Sequence, residues 1–257
     1  MRVRVLAAAS LGALVMAGCT GTSEPAGTAT GGSSTSPQPA ISASDLPSEP
    51  AEVEGSLIAQ ASGQSLTVFT APDGAEQQTV EAADVLTVPD QTPLVFLVKE
   101  RQAGWVELYL PVRPNGTTGW VPESDVTLTS TTLQVEVVLS DFTLTVTDGD
   151  DVIFESSIGL GRDEMPTPGG VYFIRELLQP PDPDGLYGPY AYGLSGYSPV
   201  LDSFAGGDAV IGIHGTDDPT SIGRAVSHGC IRLPNDAITA LVTTVGLPLG
   251  TPVTISE

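Results

Sequence analysis

Both histidines of the 257-residue chain, His214 and His228, and one of its two cysteines, Cys230, fall in the single segment HGTDDPTSIGRAVSHGC, residues 214–230. A thiol becomes a strong nucleophile as its thiolate, and a neighbouring imidazole takes the proton and stabilises the anion. Cysteine plus histidine is the smallest set that performs covalent acyl transfer, and either histidine is a candidate base. If residues 227–233 run extended, alternation turns His228, Cys230 and Arg232 one way and Gly229, Ile231 and Leu233 the other. His214 closes the apolar run AVIGI and precedes Gly215, as at a strand end that opens into a pocket. Gly229 beside the nucleophile allows close approach of a substrate carbonyl, and backbone N–H groups of this turn are candidates to hold an oxyanion. Arg224 and Arg232 bring two guanidinium groups to the same segment, which fits an anionic substrate group such as a carboxylate. A zinc ion held by His214, His228 and Cys230, with Asp217 or Asp218 as the fourth ligand, is the competing reading of these residues.

Such residues need strands to position them. From Thr132 onward the stretches LQVEVVL, FTLTVTDGDDVIFESSIGL, GGVYFI, DAVIGIHG and TPVTIS carry the pattern of half-buried and buried strands. Asp148-Gly149-Asp150 predicts a hairpin turn. A helix is predicted over residues 235–245, with Asn235 as N-cap, Asp236 in the first turn, Gly246 as the stop, and Ile238, Leu241 and Val245 facing the sheet. Residues 179–199, QPPDPDGLYGPYAYGLSGYSP, predict a long lid or binding wall in which Tyr190 and Tyr192 contact substrate. Upstream, strand-length apolar stretches at 65–70, 85–88, 94–98, 105–110 and 118–121 alternate with Pro, Gly, Asp and Asn, predicting a small all-β barrel or sandwich. Its Gly119-Trp120-Val121 resembles the final strands of bacterial SH3-like barrels, a resemblance that implies a wall-binding or spacer module.

Composition narrows the partners. Nine Lys and Arg stand against 31 Asp and Glu, a formal charge of −22. Non-specific binding of nucleic acid rests on cations replacing phosphate counterions, so it is excluded, and attraction to an anionic lipid surface is disfavoured. Residues 1–18 pair Arg2 and Arg4 with an apolar run from Val5 to Ala17, which predicts an export signal, shorter than the about 20 apolar residues of a spanning helix. Ala17-Gly18 before Cys19 resembles a bacterial lipobox, which implies that Cys19 is lipidated, becomes the mature N-terminus and anchors the protein at the outer face of the cell membrane. Of residues 20–50, 25 of 31 are Gly, Ser, Thr, Pro or Ala, too little apolar surface to fold, so a tether is expected there. The expected organisation is a signal at 1–18, lipidated Cys19 and linker at 19–55, a barrel at 56–129 and a catalytic domain at 130–257.

The segment IHGTDDPTSIGRAVSHGCIRLPN resembles the signature of the YkuD-type L,D-transpeptidases, bacterial enzymes that cross-link peptidoglycan. It shares a His-Gly, a loop containing Ile-Gly-Arg, and Ser-His-Gly-Cys-Ile-Arg with an Asn three residues on. MPTPGGVYFI resembles the family's Thr-Pro-x-Gly segment, so the resemblance covers residues 132–257. It implies Cys230 as nucleophile and His214 as general base and acid, with Ser227, His228 and Gly229 completing the pocket and Arg232 holding it or meeting a substrate carboxylate. Arg224 and Gly215 join the expected substrate-binding set. The implied reaction joins stem peptides through a cysteine thioester with loss of D-Ala. It needs no metal or cofactor, and carbapenem-type inhibitors acylate the same cysteine. The implied fold class is all-β: a β-sandwich of the L,D-transpeptidase type with one short helix, preceded by the SH3-like barrel. Papain-like endopeptidases place Cys before His, the reverse of the order here. A catalytically silent wall-binding lipoprotein and an L,D-carboxypeptidase or endopeptidase acting on the same stems are the other readings.

Overall fold

A computed structural model describes residues 54–257 apart from residue 205; the expected export signal, Cys19 and nearly all of the linker lie outside the described residues. The first half holds β1 (Ser56–Ala61), β2 (Ser65–Phe69), β3 (Glu76–Glu81), a single helical turn α1 (Ala82–Val85), β4 (Val95–Gln102), β5 (Trp105–Tyr109), β6 (Thr118–Pro122) and β7 (Val126–Thr131). They form one sheet in the order β3-β2-β6-β5-β4-β1-β7. The stretch 85–88, expected as a strand, instead ends α1 and turns away, with Val85 and Leu86 buried. A short apolar run has no period with which to distinguish a strand from a helical turn.

The second half holds β8 (Leu133–Val138), β9 (Thr143–Asp148), β10 (Asp151–Ser157), β11 (Leu160–Gly161), β12 (Gly170–Leu178), β13 (Ala191–Tyr197), β14 (Ser203–Phe204), β15 (Gly207–Asp208), β16 (Val210–His214), β17 (Ala225–Ser227), β18 (Ile231–Arg232), α2 (Asn235–Ala240) and β19 (Pro252–Ser256). Eight of these strands make a sheet in the order β10-β9-β8-β19-β12-β13-β16-β18, parallel only at β8/β19 and β16/β18. Alternation explains its buried face. Val146, Val135, Val253 and Tyr172 stand in one cross-strand row, and Leu144, Val137 and Ile255 in the next, all buried. Each such side chain contributes about 1.5–3 kcal/mol by leaving water. The expected hairpin forms, with Asp148 paired to Asp151 across Gly149-Asp150.

Two expectations need correction. The 179–199 loop stops at Tyr190, because residues 191–197 are the buried strand β13. Its glycines disguised it: a Cβ on Gly196 would lie 2.4 Å from the Tyr172 ring and one on Gly193 2.8 Å from Glu176, so bare backbone is what lets β12 side chains fit. The helix starts after Pro234, which is the N-cap in place of Asn235, and α2 passes into a π-helical turn (Leu241–Val245) ending at Gly246. Ile238 and Leu241 enter the core as expected.

The two halves pack through β12 and the end of β13. Phe173 belongs to the core of the first half, its ring 6.4 Å from that of Phe96. Where the β12/β13 register shifts, the buried pair Arg175 and Glu176 sits at 3.2 Å, and Glu176 accepts from both the N–H (2.8 Å) and the hydroxyl (3.1 Å) of Thr87. Among the described residues no helix is long and apolar enough to cross a membrane.

Candidate active site

Strands β16 and β18 run parallel, with Ile213 beside Ile231 and His214 beside Arg232. Ile211, Ile213 and Ile231 are buried in the core. By alternation His214 and Arg232 share the opposite face. Cys230, one residue before β18, joins them at a cavity of about 100 Å³, whose lining includes His214, Ser227, His228, Cys230 and Arg232. Leu186, Tyr187, Ser198, Leu201 and Phe204 form much of the remaining wall.

The alternation expected over 227–233 holds in burial but not in backbone. Gly229, Ile231 and Leu233 are buried, His228 is exposed, and Cys230 and Arg232 are half-buried. Residues 228–230 are nevertheless a turn, with Gly229 at φ +117°, a value that a side chain would strain. Ser227 holds this turn. Its hydroxyl donates to the Cys230 carbonyl at 2.6 Å and accepts from the Gly229 N–H at 3.1 Å. The Gly229 N–H, a candidate oxyanion donor, is thus engaged inside the turn.

The two histidines differ in what their rings can do. His214 is 4% exposed, and its Nδ1 bonds the Gly215 carbonyl. A carbonyl only accepts, so Nδ1 carries the proton and Nε2 is the basic atom. Tyr187 meets the His214 ring edge-on at 5.0 Å, and the Gly215 segment is tied to α2 by Asn235, whose side chain accepts from the Thr216 N–H at 2.8 Å. His228 is exposed; its Nε2 faces Arg162 Nη1 at 3.3 Å, and Phe204 packs against its ring at 5.1 Å. Guanidinium groups only donate, so His228 Nε2 is an acceptor already in use.

Burial sets the proton affinities. It pulls His214 down to about 4, aided by the charge of Arg232 and opposed by the Gly215 carbonyl and Asp217. It pushes the Cys230 thiol above its ordinary value, while the Gly212 N–H and Arg232 pull the other way. The resting pair is therefore neutral thiol and neutral imidazole, and Cys230 needs a base at the moment of attack. His228 is lowered by burial and by Arg162 and Arg232.

Other expected residues fall outside this arrangement. Tyr192 is 1% exposed in the core, its phenol pushed up to about 12 by burial, and it has no surface to offer a substrate. Tyr190 packs against the same core. The tyrosine at the cavity is Tyr187, one of the four tyrosines of the 179–199 stretch that pointed to a lid or binding wall, in place of Tyr190 and Tyr192. Arg224 is exposed and absent from the cavity lining, whereas Arg162, unflagged, contacts His228. Arg232 lines the cavity, and its buried Nε has no hydrogen-bond partner. Among the described residues no group of three or more His, Cys, Asp or Glu is placed to hold a metal ion.

A cysteine, a buried imidazole of fixed tautomer and an arginine thus line one cavity. Residues 133–255 match the YkuD family, the L,D-transpeptidase catalytic domain. YkuD of Bacillus licheniformis is 34% identical over 123 residues, 48% of this chain and 65% of that protein, and YkuD of Bacillus subtilis strain 168 matches with the same identity and coverage. The chain thus spans just under two thirds of the length of these curated relatives. Among solved structures, the catalytic domain of the E. faecium L,D-transpeptidase is 25% identical over 48% of this chain and 95% of that one, with a TM-score of 0.35.

Proposed function

We propose that the protein is an exported peptidoglycan L,D-transpeptidase that joins stem peptides through a thioester on Cys230. The observation that carries this is the commitment of His214 Nδ1 to the Gly215 carbonyl, which leaves Nε2 as the base at the cavity it shares with Cys230. His214 Nε2 takes the thiol proton as the sulfur attacks the carbonyl at the L-centre of the stem diamino acid. The C–N bond to D-Ala breaks, and the departing amine takes that proton from His214. The side-chain amine of a second stem attacks the thioester, yields a proton to His214, and the thiolate recovers it as the new amide leaves. Arg232 meets a carboxylate of the stem. The proposal extends to lipid anchoring at Cys19, to an SH3-like character for the first half, and to acylation of Cys230 by carbapenems.

The test is incubation of the purified protein with disaccharide-tetrapeptide. D-Ala release with a cross-linked dimer, both lost in Cys230→Ala, is the expected result. Release of D-Ala without dimer makes the protein an L,D-carboxypeptidase, and neither product removes the enzymatic reading. Lipidation is checked separately: Cys19→Ala should move the protein from the membrane to the soluble fraction.

A further inference from the structure

The first half of the chain carries none of the cavity's lining residues, yet one of its loops grips the cavity wall. Between β5 and β6, residues 110–117 reach across to the end of β13 and the bend that follows. Asn115 pairs with the backbone of Tyr197 on both sides, its side-chain N–H donating to the carbonyl at 2.8 Å and its oxygen accepting from the N–H at 2.9 Å. The Tyr197 hydroxyl donates to the Pro111 carbonyl at 2.7 Å. Arg113 lies over the Tyr197 ring at 4.8 Å and donates to two carbonyls, Ser198 at 2.7 Å and Leu201 at 2.8 Å. One planar guanidinium thus spans the whole bend 198–201, whose inside is held by Ser198 Oγ accepting from the N–H groups of Val200 and Leu201. Ser198 and Leu201 line the Cys230 cavity, and the bend leads directly to Phe204, the ring that packs on His228.

We infer that Arg113 is a positioning residue of the active site: by fixing the bend 198–201 it sets the width of the cavity, and the first half of the chain is a structural part of the substrate pocket. One cation holds both carbonyls to the first half, so removing the guanidinium frees a wall rather than a surface decoration. Arg101 is the internal control. It belongs to the same half and is also paired, but within that half, to Glu123 at 2.6 Å. The inference uses the cavity around Cys230 whatever reaction occurs there; only its kinetic consequence rests on the transpeptidase reading.

The experiment measures how fast Cys230 in the full-length protein reacts with a small reagent, iodoacetamide, and a bulky one, N-(1-pyrenyl)maleimide, followed by mass on the Cys230-bearing peptide. Arg113→Ala should raise the bulky-to-small rate ratio at least about threefold, Arg113→Lys should raise it less, and Arg101→Ala should leave it unchanged. With disaccharide-tetrapeptide, Arg113→Ala should raise KM about tenfold with a smaller change in kcat. An unchanged reagent ratio in Arg113→Ala, or an equal shift in Arg101→Ala, overturns the inference. Should Arg113→Ala not fold, Arg113→Lys decides by the same ratio, and no shift there overturns it. If the ratio shifts but wild type releases no D-Ala, the transpeptidase reading fails and the positioning role stands.

Discussion

The strand end at His214 and the turn at His228 present the same side chain to one cavity in opposite settings. His214 is buried beneath Tyr187, with one nitrogen bonded to a carbonyl fixed by its own backbone; His228 is exposed, shares a ring face with Phe204 and spends a nitrogen on Arg162. A base needs a fixed tautomer and a free lone pair, and the first setting supplies both. The second supplies a wall. The difference comes from the order of elements, because β16 delivers His214 at the end of a strand inside the sheet, while His228 rides on the turn that Ser227 holds.

If that contrast is right, His214→Gln should lower kcat/KM by about 10²–10⁴-fold, read from D-Ala release. A loss below tenfold would reverse the roles. The burial of His214 should also register in stability. Its folded value of about 4 lies below the ordinary 6.5, so between those values the unfolded chain binds the extra proton. Stability from the neutral ring is fully present above pH 6.5 and is lost as pH falls toward 4, roughly 3 kcal/mol in all. Urea unfolding of wild type and His214→Gln at pH 7 and pH 4.5 measures it, and an identical pH slope in the two removes the claim. Activity should hold its plateau to about pH 5 and fall to half near pH 4 for the same reason. Ser227→Ala should cost about 1–3 kcal/mol and lower kcat/KM about tenfold, since it strips both bonds that hold the Cys230 turn. His228→Gln keeps an acceptor for Arg162 and should change kcat/KM by less than about fivefold, the smallest effect of the set.

The candidate site was legible because it sits in one short segment: scarcity of histidine and cysteine made residues 214–230 conspicuous, and the structure brings His214, His228, Cys230 and Arg232 to one cavity. Elements with strong alternation, β8, β9 and β19, were equally readable. Three kinds of information were not. The polar edge strand β3 buries only Val80, so its sequence EQQTVE shows no apolar period. Strand β13 hides its burial behind glycines whose purpose is the space they leave for Glu176 and Tyr172. The cavity wall and its Arg113 clamp join residues about 85 positions apart, a pairing that no local pattern encodes. Tyr190 and Tyr192 were expected at the site for a local reason: which tyrosine of a Tyr-rich stretch faces the cavity depends on where the strand begins, and β13 begins at Ala191.

The most direct test is the intact mass of the protein during turnover of disaccharide-tetrapeptide, comparing wild type with Cys230→Ala. A transient adduct equal to the disaccharide-tetrapeptide less D-Ala is expected on wild type only, with free D-Ala appearing at the same rate. The same adduct on Cys230→Ala, or no adduct and no D-Ala from wild type, would contradict the thioester mechanism.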